Sequence, residues 1–285
     1  MNWQTDKEII TQKYFELINF NNLHLFGILK DHIETARPIL PLIEFVISRL
    51  ETVVFLATDN RLWDADIVMR SALETFTKFL FITKANPEEQ AKRIQEYWYE
   101  LPEIASIKLS DQARRNLEFA GDSEIQRLSN LPLILSEEDE KALREKWTKS
   151  NRQRLEQKWS FSEMILWISK SDDKRLLEAY ITLTHTYRMG SHIMHGDETG
   201  VSIIKEREGR FPEERQKAET GHYLRMFSDC LSYCCIVGMD SMVFINMPEE
   251  VEFFFKNAQR LNEIEALLQK YEGQVFEDPD YDKYR

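Results

Sequence analysis

Hydrophobic residues recur at every third or fourth position along most of the chain, which is the repeat of an amphipathic α-helix. No stretch of convincing length alternates hydrophobic and polar residues as a half-buried β-strand does. Asn21-Asn22 separates the first two predicted helices, and Pro102 is expected to kink or end the fifth. The predicted helices cover 6–20, 23–36, 38–57, 65–84, 87–101, 136–158, 161–169, 174–196, 212–247 and 248–271. Residues 121–135 are predicted as a long connection and 197–211 as a polar loop.

Composition supports the helical prediction. The 285 residues include 9 glycines and 8 prolines, and these are the residues that turns need and helices avoid. We therefore predict an all-α fold, a helical bundle of about eight to ten helices. Its expected parts are an N-terminal helical extension over 1–37, a bundle over 38–273 and an acidic, aromatic tail over 274–285. Within the bundle, 121–158 holds a loop and a basic helix.

The charge balance restricts how this protein can bind nucleic acid. The formal net charge is -12, from 37 basic and 49 acidic residues. A nucleic-acid contact must therefore come from a local basic patch.

Cysteine usage and hydropathy predict the compartment. Cys230, Cys234 and Cys235 lie in one apolar run, and an odd, clustered set is typical of buried thiols in a reducing compartment rather than of a disulfide framework. The charged N-terminus lacks the apolar core of a signal peptide. The most apolar run, 230–245, is short for a membrane span and contains Asp240. We therefore predict a cytoplasmic protein with no membrane partner.

The segment Thr186 to Glu198, TYRMGSHIMHGDE, contains the strongest candidates for catalytic side chains: an arginine, a serine and two histidines. Arg188 and His195 are seven positions apart, so on a helix they project within about 20° of each other. Ser191 shares that face and His192 flanks it. An imidazole can take or give a proton on the 2′-hydroxyl or the leaving oxygen of RNA, and a guanidinium can stabilise the phosphorane charge. No metal or other cofactor is required, because RNA supplies its own nucleophile.

A purely structural interpretation of the same segment stays open. Gly190 lets a neighbouring helix approach closely, and Gly196 is suited to the helix C-terminus. In this interpretation the polar stripe is a solvated helix end, with Arg188 paired to a carboxylate and His195 capping main-chain carbonyls.

A metal site is a further alternative. His192 and His195, with the carboxylates that follow them, could supply ligands. Glu219-x2-His222 resembles half of a carboxylate-bridged di-iron pattern, but such bundles need two units of this kind and the chain has one.

The spacing Arg188-x6-His195 near the end of a late helix resembles the Arg-x(4–6)-His signature of the HEPN superfamily. This resemblance implies a helical, commonly dimeric protein, and many HEPN proteins are metal-independent endoribonucleases of toxin–antitoxin and anti-phage systems. Other members have lost activity and only bind nucleotides or partners. Met189 follows Arg188 here, where many active members carry a polar residue, so binding without cleavage is an alternative.

The order of short motifs is also similar to a bacterial, all-helical family of unknown function. That family carries an Arg-x3-Glu helix, then a tryptophan, then a Tyr-x3-Ser-x3-His helix. The matching residues are Arg70 and Glu74 in MRSALETF, Trp159 in QKWSFSE, and Tyr187, Ser191 and His195 in YRMGSHIMHG. The resemblance spans about 39–196.

Arg70 and Glu74 allow two interpretations. They lie four apart on an otherwise apolar helix, where charges are rarely left unpaired. They can form a mutual ion pair that fixes the helix register. Alternatively, Arg70 faces the same groove as Arg188 and His195 and binds phosphate, with Glu74 orienting it.

The segment 141–158 is the strongest local basic patch, with seven basic residues and two acidic ones. Its cations can contact a phosphate backbone, and its indole can stack on bases. The predicted RNA contacts are Lys146, Trp147, Lys149, Arg152 and Arg154. The alternative is a solvated helix that balances acidic neighbours such as 137–140.

Taken together, these patterns favour a HEPN-like, metal-independent endoribonuclease of a bacterial toxin or phage-defence type. His195 is the predicted general acid or base, Arg188 and Arg70 stabilise phosphate, and Ser191 or His192 assists. RNA, a second copy of the chain and an antitoxin or defence-system protein are the predicted partners, with no cofactor. The alternatives are a non-catalytic helical module that binds a nucleotide or a protein, and a metal-binding helical bundle.

Overall fold

The computed structural model describes residues 3–119, 121, 123–170 and 174–276, with side chains for all of these except 174–182 and 272–276. Every regular element in these ranges is a helix, which confirms the predicted all-α fold. There are more helices than the eight to ten expected. Two predicted helices, 136–158 and 248–271, are each divided into two α-helices, and both predicted connections contain helices.

The chain divides into two compact units. Unit 1 comprises 1–83 and 168–285, and unit 2 comprises 84–167. These boundaries differ from those predicted from the sequence, because the first helix belongs to the core of unit 1. Ile10 and Leu17 of that helix are fully buried.

The helices of unit 1 come from both ends of the chain. They are α1 (Trp3–Asp31), α2 (Ile33–Ala36), α3 (Leu40–Thr58), α4 (Leu62–Thr83), α11 (Lys174–His195), α12 (Glu198–Gly209), α13 (Pro212–Phe244), α14 (Val251–Gln259) and α15 (Glu265–Phe276). Two short 3-10 segments, Pro248–Glu250 and Arg260–Ile264, connect the last three helices.

Unit 2 is built from consecutive shorter helices. They are α5 (Pro87–Gln95), a π-helical segment (Glu96–Glu100), α6 (Leu101–Phe119), α7 (Glu124–Asn130), a 3-10 turn (Leu131–Leu133), α8 (Glu137–Lys146), α9 (Lys149–Lys158) and α10 (Phe161–Ile168), whose last residue belongs to unit 1. The helical path runs through Pro102, which the sequence predicted to kink or end it. The five-residue π-helical segment lies directly before α6, and such segments absorb an irregularity without ending a helix.

α13 is the central helix of unit 1 and packs against α1, α3, α4, α14 and α15. It is long and apolar enough to cross a membrane by length and composition, but 72% of its most apolar window is buried within the protein. A buried core helix passes the same test, so this feature is weak evidence for a membrane span.

Buried polar groups explain why the first helix is not divided at Asn21-Asn22. Both asparagines are buried inside one continuous α1. Asn21 donates a hydrogen bond to Cys235 Sγ at 3.0 Å and accepts one from Asn257 at 2.8 Å. The side chains therefore bond to neighbouring helices instead of competing with their own backbone. The cysteines Cys230, Cys234 and Cys235 are free and buried, as predicted.

Side-chain caps produce two further departures from the sequence prediction. Thr148 accepts a hydrogen bond from Asn151 N at 3.3 Å and starts α9, so the predicted helix 136–158 is two helices. Asp197 accepts one from Gly200 N at 3.0 Å and starts α12, where a polar loop was predicted. Both are N-cap interactions, and they nucleate helices that hydrophobic periodicity alone does not reveal. Residues 171–173, directly before the predicted motif helix, and the tail from 277 onward lie outside the described residues.

Candidate functional site

The motif helix, α11, ends where the sequence predicted. Gly196 has a φ of 57°, the left-handed conformation that favours glycine at a helix C-terminus. Asp197 then caps α12, and its carboxylate also lies 2.7 Å from His192 Nδ1. The Gly200 N–H, and after it His192, lower the pKa of Asp197. His192, a predicted assistant in catalysis, is thus engaged at the junction of two helices.

Arg188 and His195 are both exposed, and Ser191 is half-buried on the same helix. Within the described part of the chain, no hydrogen bond or ion pair reaches the guanidinium of Arg188 or the imidazole of His195. The structural interpretation expected the opposite, with Arg188 paired to a carboxylate and His195 bonded to carbonyls. Two groups able to bind phosphate and transfer a proton therefore lie on one solvent-facing side of α11.

A glycine sets how closely α11 approaches α4. A Cβ atom on Gly190 would lie 2.7 Å from the Asp66 carbonyl oxygen and 2.9 Å from Arg70 Cβ. Real Cβ contacts are longer than this, so any other residue would force the two helices apart. The predicted close approach at Gly190 is confirmed, and the neighbouring helix is the one that carries Arg70 and Glu74.

Arg70 is held mainly by the motif helix. Its Nη2 donates a hydrogen bond to the Tyr187 hydroxyl at 3.0 Å, and its guanidinium lies 4.7 Å from the centre of the Tyr187 ring. Its Nη1 lies 3.5 Å from Met194 Sδ. The ion pair with Glu74 is longer, at 3.7 Å, and Glu74 is also 3.6 Å from Lys78. The structure therefore brings Arg70 and Tyr187 together and leaves Glu74 with weaker contacts.

The contacts of Arg70 place it on one flank of the exposed face. Tyr187 and Met194 each come one position before Arg188 and His195, and one position is a rotation of about 100° around a helix. The side chain of Arg70 is largely buried, with 15% of its surface exposed. No contact joins Arg70 to Arg188 or His195 in the described residues.

In unit 2, the basic segment 141–158 is partly neutralised by carboxylates from other helices of the same unit. Lys146 Nζ lies 2.7 Å from Glu103 Oε2, and Trp147 Nε1 donates to the same oxygen at 2.6 Å. Trp159 is buried and donates to Glu96 at 2.9 Å. These three side chains make internal contacts. Of the other predicted RNA contacts, Lys149 and Arg154 are exposed, and Arg152 is half-buried.

A buried charge cluster lies behind the motif helix, and sequence reasoning missed it. Asp66 of α4 is fully buried. Its carboxylate lies 2.9 Å from His222 Nε2 and 3.1 Å from Arg225 Nη2, both on α13. Arg207 of α12 lies 2.7 Å from His222 Nδ1 and stacks 4.0 Å from the Trp63 ring. Three helices are thus connected through one carboxylate and one imidazole.

The contacts of His222 assign its proton. An arginine can only donate, so Nδ1 accepts from Arg207 and the proton of a neutral ring lies on Nε2, the nitrogen 2.9 Å from Asp66 Oδ2. Burial lowers the pKa of His222, with Arg225 and Arg207 acting in the same direction against Asp66. Burial alone would raise the pKa of Asp66, but His222, Arg225 and Arg207 outweigh it and the pKa is lowered. Because both pKa values are lowered, Asp66 is ionised and His222 is neutral at neutral pH.

A signal for this cluster was present in the sequence. His222, Arg225 and Asp229 are spaced three and four apart, which places them on one side of an otherwise apolar helix. The pairing of Glu219 with His222 as metal ligands is not seen, since Glu219 instead binds Arg215 at 2.8 Å. Among the described residues, no group of three or more histidine, cysteine, aspartate or glutamate side chains could hold a metal ion.

Comparisons with known proteins leave the family open. No family model, curated protein or solved structure matches this chain. Membership of the HEPN superfamily therefore stays a prediction from the short motifs.

Proposed function

We propose that this protein is a HEPN-like, metal-independent endoribonuclease of a bacterial toxin or phage-defence type. The observation that carries the proposal is the exposed pair Arg188 and His195, which lies on one side of α11 with no internal hydrogen bond or ion pair from the described residues. Exposed groups of this kind are available to a substrate, whereas groups that serve packing are usually paired.

The proposed chemistry uses only groups of the protein and the RNA. His195 takes the proton of a 2′-hydroxyl as that oxygen attacks the adjacent phosphorus, and the bond to the 5′-oxygen breaks. The leaving oxygen receives a proton, which gives a 2′,3′-cyclic phosphate and a 5′-hydroxyl. Arg188 stabilises the charge that develops on the phosphorane oxygens. Ser191, on the same face, donates a hydrogen bond to the phosphate.

A homodimer is part of this proposal. Cleavage needs one proton accepted and one donated, and two motif helices related by two-fold symmetry supply two copies of His195. Met194, directly before His195, is 40% exposed. A second copy would bury this apolar side chain.

Incubation of the purified protein with total RNA in EDTA tests the nuclease directly. We expect the wild-type protein to produce fragments with 2′,3′-cyclic phosphate ends. His195→Ala should lower the rate by about 100-fold or more, and Arg188→Ala should act in the same direction. His32→Ala, which removes a histidine far along the chain from α11, should cut RNA as the wild-type protein does.

Several outcomes would reject the proposal. Equal fragmentation by the wild-type protein and His195→Ala would assign the activity to another site or to a contaminant. Loss of cleavage in EDTA would favour metal chemistry. Thermal stabilisation by a nucleotide, without any cleavage, would instead support a non-catalytic binding module. Met189, which stands where many active HEPN proteins carry a polar residue, is the sequence feature that favours this alternative.

A further inference from the structure

Unit 2 carries the densest group of exposed apolar side chains in the described part of the chain. Phe119, at the end of α6, and Ile125 of α7 are 86% and 79% exposed, more than any other large hydrophobic residue there. Leu128, Leu131 and Leu133 follow, and each is at least 44% exposed. The seven-residue helix α7 buries none of its side chains. These five apolar side chains contribute little to the hydrophobic core, and we call them the α7 patch.

Two hydrogen bonds hold this part of the chain against α6. Asn116 Nδ2 donates to Asn130 Oδ1 at 2.9 Å, and the main-chain N–H of Leu135 donates to Ser110 Oγ at 3.1 Å. The chain after α7 therefore runs back along α6, in the direction opposite to that helix. Residues 131–134 lie between the two hydrogen bonds, and α7 itself packs on α6. The α7 patch is thus held on one surface of unit 2.

The size of the patch matches one half of a dimer interface. Its five side chains expose roughly 500 Å² of apolar surface, which is in the range of the largest apolar patch on a typical monomer, and patches of that size are often functional. Pairing two such patches would bury about 1,000 Å² in total, which is the area that a specific interface needs. The α7 patch is therefore large enough to support self-association.

The charges beside the patch are balanced in sign. Two exposed carboxylates, Glu118 and Glu124, and two exposed guanidinium groups, Arg115 and Arg127, lie next to it in the sequence. In an antiparallel pair of α7 helices, Glu124 of each copy comes opposite the helical turn that carries Arg127 of the other copy. This arrangement is the same from both sides, as two-fold symmetry requires. RNA or an anionic membrane would instead need a surplus of positive charge. A second copy of the chain is therefore the partner that fits.

We infer that the α7 patch is the contact surface of a two-fold dimer of this chain. α7 of one copy packs antiparallel against α7 of the second copy, with Ile125 and Leu128 at the centre of the contact and the other three side chains around them. The inference does not rest on the proposed nuclease, and this contact differs from the one that the proposed function assigns to Met194. A chain with two self-complementary surfaces can assemble beyond a dimer.

Sedimentation velocity over a range of protein concentrations measures this self-association directly. We expect the wild-type chain to dimerise, and we expect Leu128→Glu to raise the dissociation constant about 30-fold or more, the effect of losing a central interface side chain. Leu23→Glu puts the same charge at a leucine of α1 that is 76% exposed. It is the matched control and should dimerise as the wild-type protein does. Far-UV circular dichroism should be the same for all three proteins, because both leucines lie on the surface.

A charge reversal keeps the test decisive even if Leu128→Glu disturbs α7. Arg127→Glu should weaken the dimer, because it places like charges opposite each other across the two-fold axis. Adding Glu124→Arg to that variant should restore the dimer, because opposite charges then face each other again. Failure of the double variant to regain the dimer would overturn the antiparallel pairing.

The remaining outcomes separate the α7 patch from α11. A wild-type chain that stays monomeric would overturn the inference and leave the patch to another protein or to a lipid surface. A dimer that survives Leu128→Glu but is lost in Met194→Glu would also overturn it and would assign the contact to α11. Loss of the dimer in Leu128→Glu alone would support the inference. A larger assembly that Leu128→Glu and Met194→Glu each reduce to a dimer would support both contacts.

Discussion

The carbonyl oxygen of Asp66 lies 2.7 Å from the position that a Cβ atom would occupy on Gly190. The side chain of the same aspartate binds His222 and Arg225 of α13. One residue of α4 therefore sets the position of the motif helix through its backbone and the position of α13 through its carboxylate.

Gly190→Ala should destabilise the protein. The added methyl group would overlap the Asp66 carbonyl and Arg70 Cβ, and such overpacking costs about 1–3 kcal/mol. The free energy of unfolding from urea titration measures this cost.

The matched control for that change is Gly27→Ala. Gly27 is also helical, but nothing lies within 4 Å of its would-be Cβ atom. Alanine there should stabilise α1 by up to about 1 kcal/mol, because alanine is the better helix former. Equal effects of the two substitutions would contradict the close approach of α4 and α11.

Tyr187→Phe should cost more stability than Glu74→Gln. The phenylalanine removes the hydroxyl that accepts from Arg70 at 3.0 Å, and a hydrogen bond to a charged group contributes about 1.5–3 kcal/mol. Glu74 is 3.7 Å from Arg70 and 38% exposed, and an ion pair of that kind contributes about 0–1 kcal/mol. A larger loss in Glu74→Gln would show that Arg70 is held by its own helix instead.

Acid should destabilise the protein through His222. The pKa of this imidazole is lowered in the folded protein, so below pH 6.5 the unfolded chain binds a proton that the folded chain resists. The stability that comes from a neutral His222 is fully present above pH 6.5. As the pH falls from there towards the folded-state pKa, the free energy of unfolding decreases by at most about 1.4 kcal/mol per pH unit. Asp229 gains a proton in the folded protein below about pH 6 and acts in the opposite direction, so urea titrations between pH 8 and pH 5 should show this slope in the background of Asp229→Asn.

The variant His222→Gln should have a smaller dependence of stability on pH. It should also be less stable at pH 8, since it loses the contacts with Asp66 and Arg207. Part of the slope should persist, because the pKa of His185 is lowered as well. His32→Gln serves as the control and should keep the wild-type slope. An unchanged slope in His222→Gln would show that this imidazole is not the acid-sensitive group.

Asp229→Asn should stabilise the protein at neutral pH. Burial raises the pKa of the Asp229 carboxyl to about 6, above the usual 3.9 of an unfolded chain. Ionisation between about pH 4 and pH 6 therefore costs the folded state up to about 2–3 kcal/mol, and asparagine removes that cost. The thermal midpoint of the variant should exceed that of the wild-type protein at pH 7.5.

The same difference should disappear near pH 4, where the wild-type carboxyl is protonated. Asp31→Asn removes a carboxylate that is exposed on α1, and it should change the midpoint little at either pH. A lower midpoint for Asp229→Asn at pH 7.5 would mean that the charge stabilises the fold, against the raised pKa.

Local sequence was sufficient for the features that depend on one helix at a time. The all-α fold, the end of α11 at Gly196 and the room for a close helix approach at Gly190 all follow from helical periodicity and backbone conformation. The same reasoning failed where a side chain from elsewhere changes a local preference. Asn21 and Asn22 look like a break, yet partners on three other helices keep them inside α1: Cys235 and Asn257 for Asn21, and Glu51 for Asn22.

The sequence by itself determined that Arg188 and His195 share one face of a helix, because a spacing of seven residues nearly closes two helical turns. Only the tertiary structure decided that this face is open to solvent, that Tyr187 holds Arg70, and that Asp66 holds His222 and Arg225. Each of these last contacts joins residues more than 100 positions apart. Pairing between distant residues depends on which helices pack together, and periodicity within one helix carries no information about its neighbours.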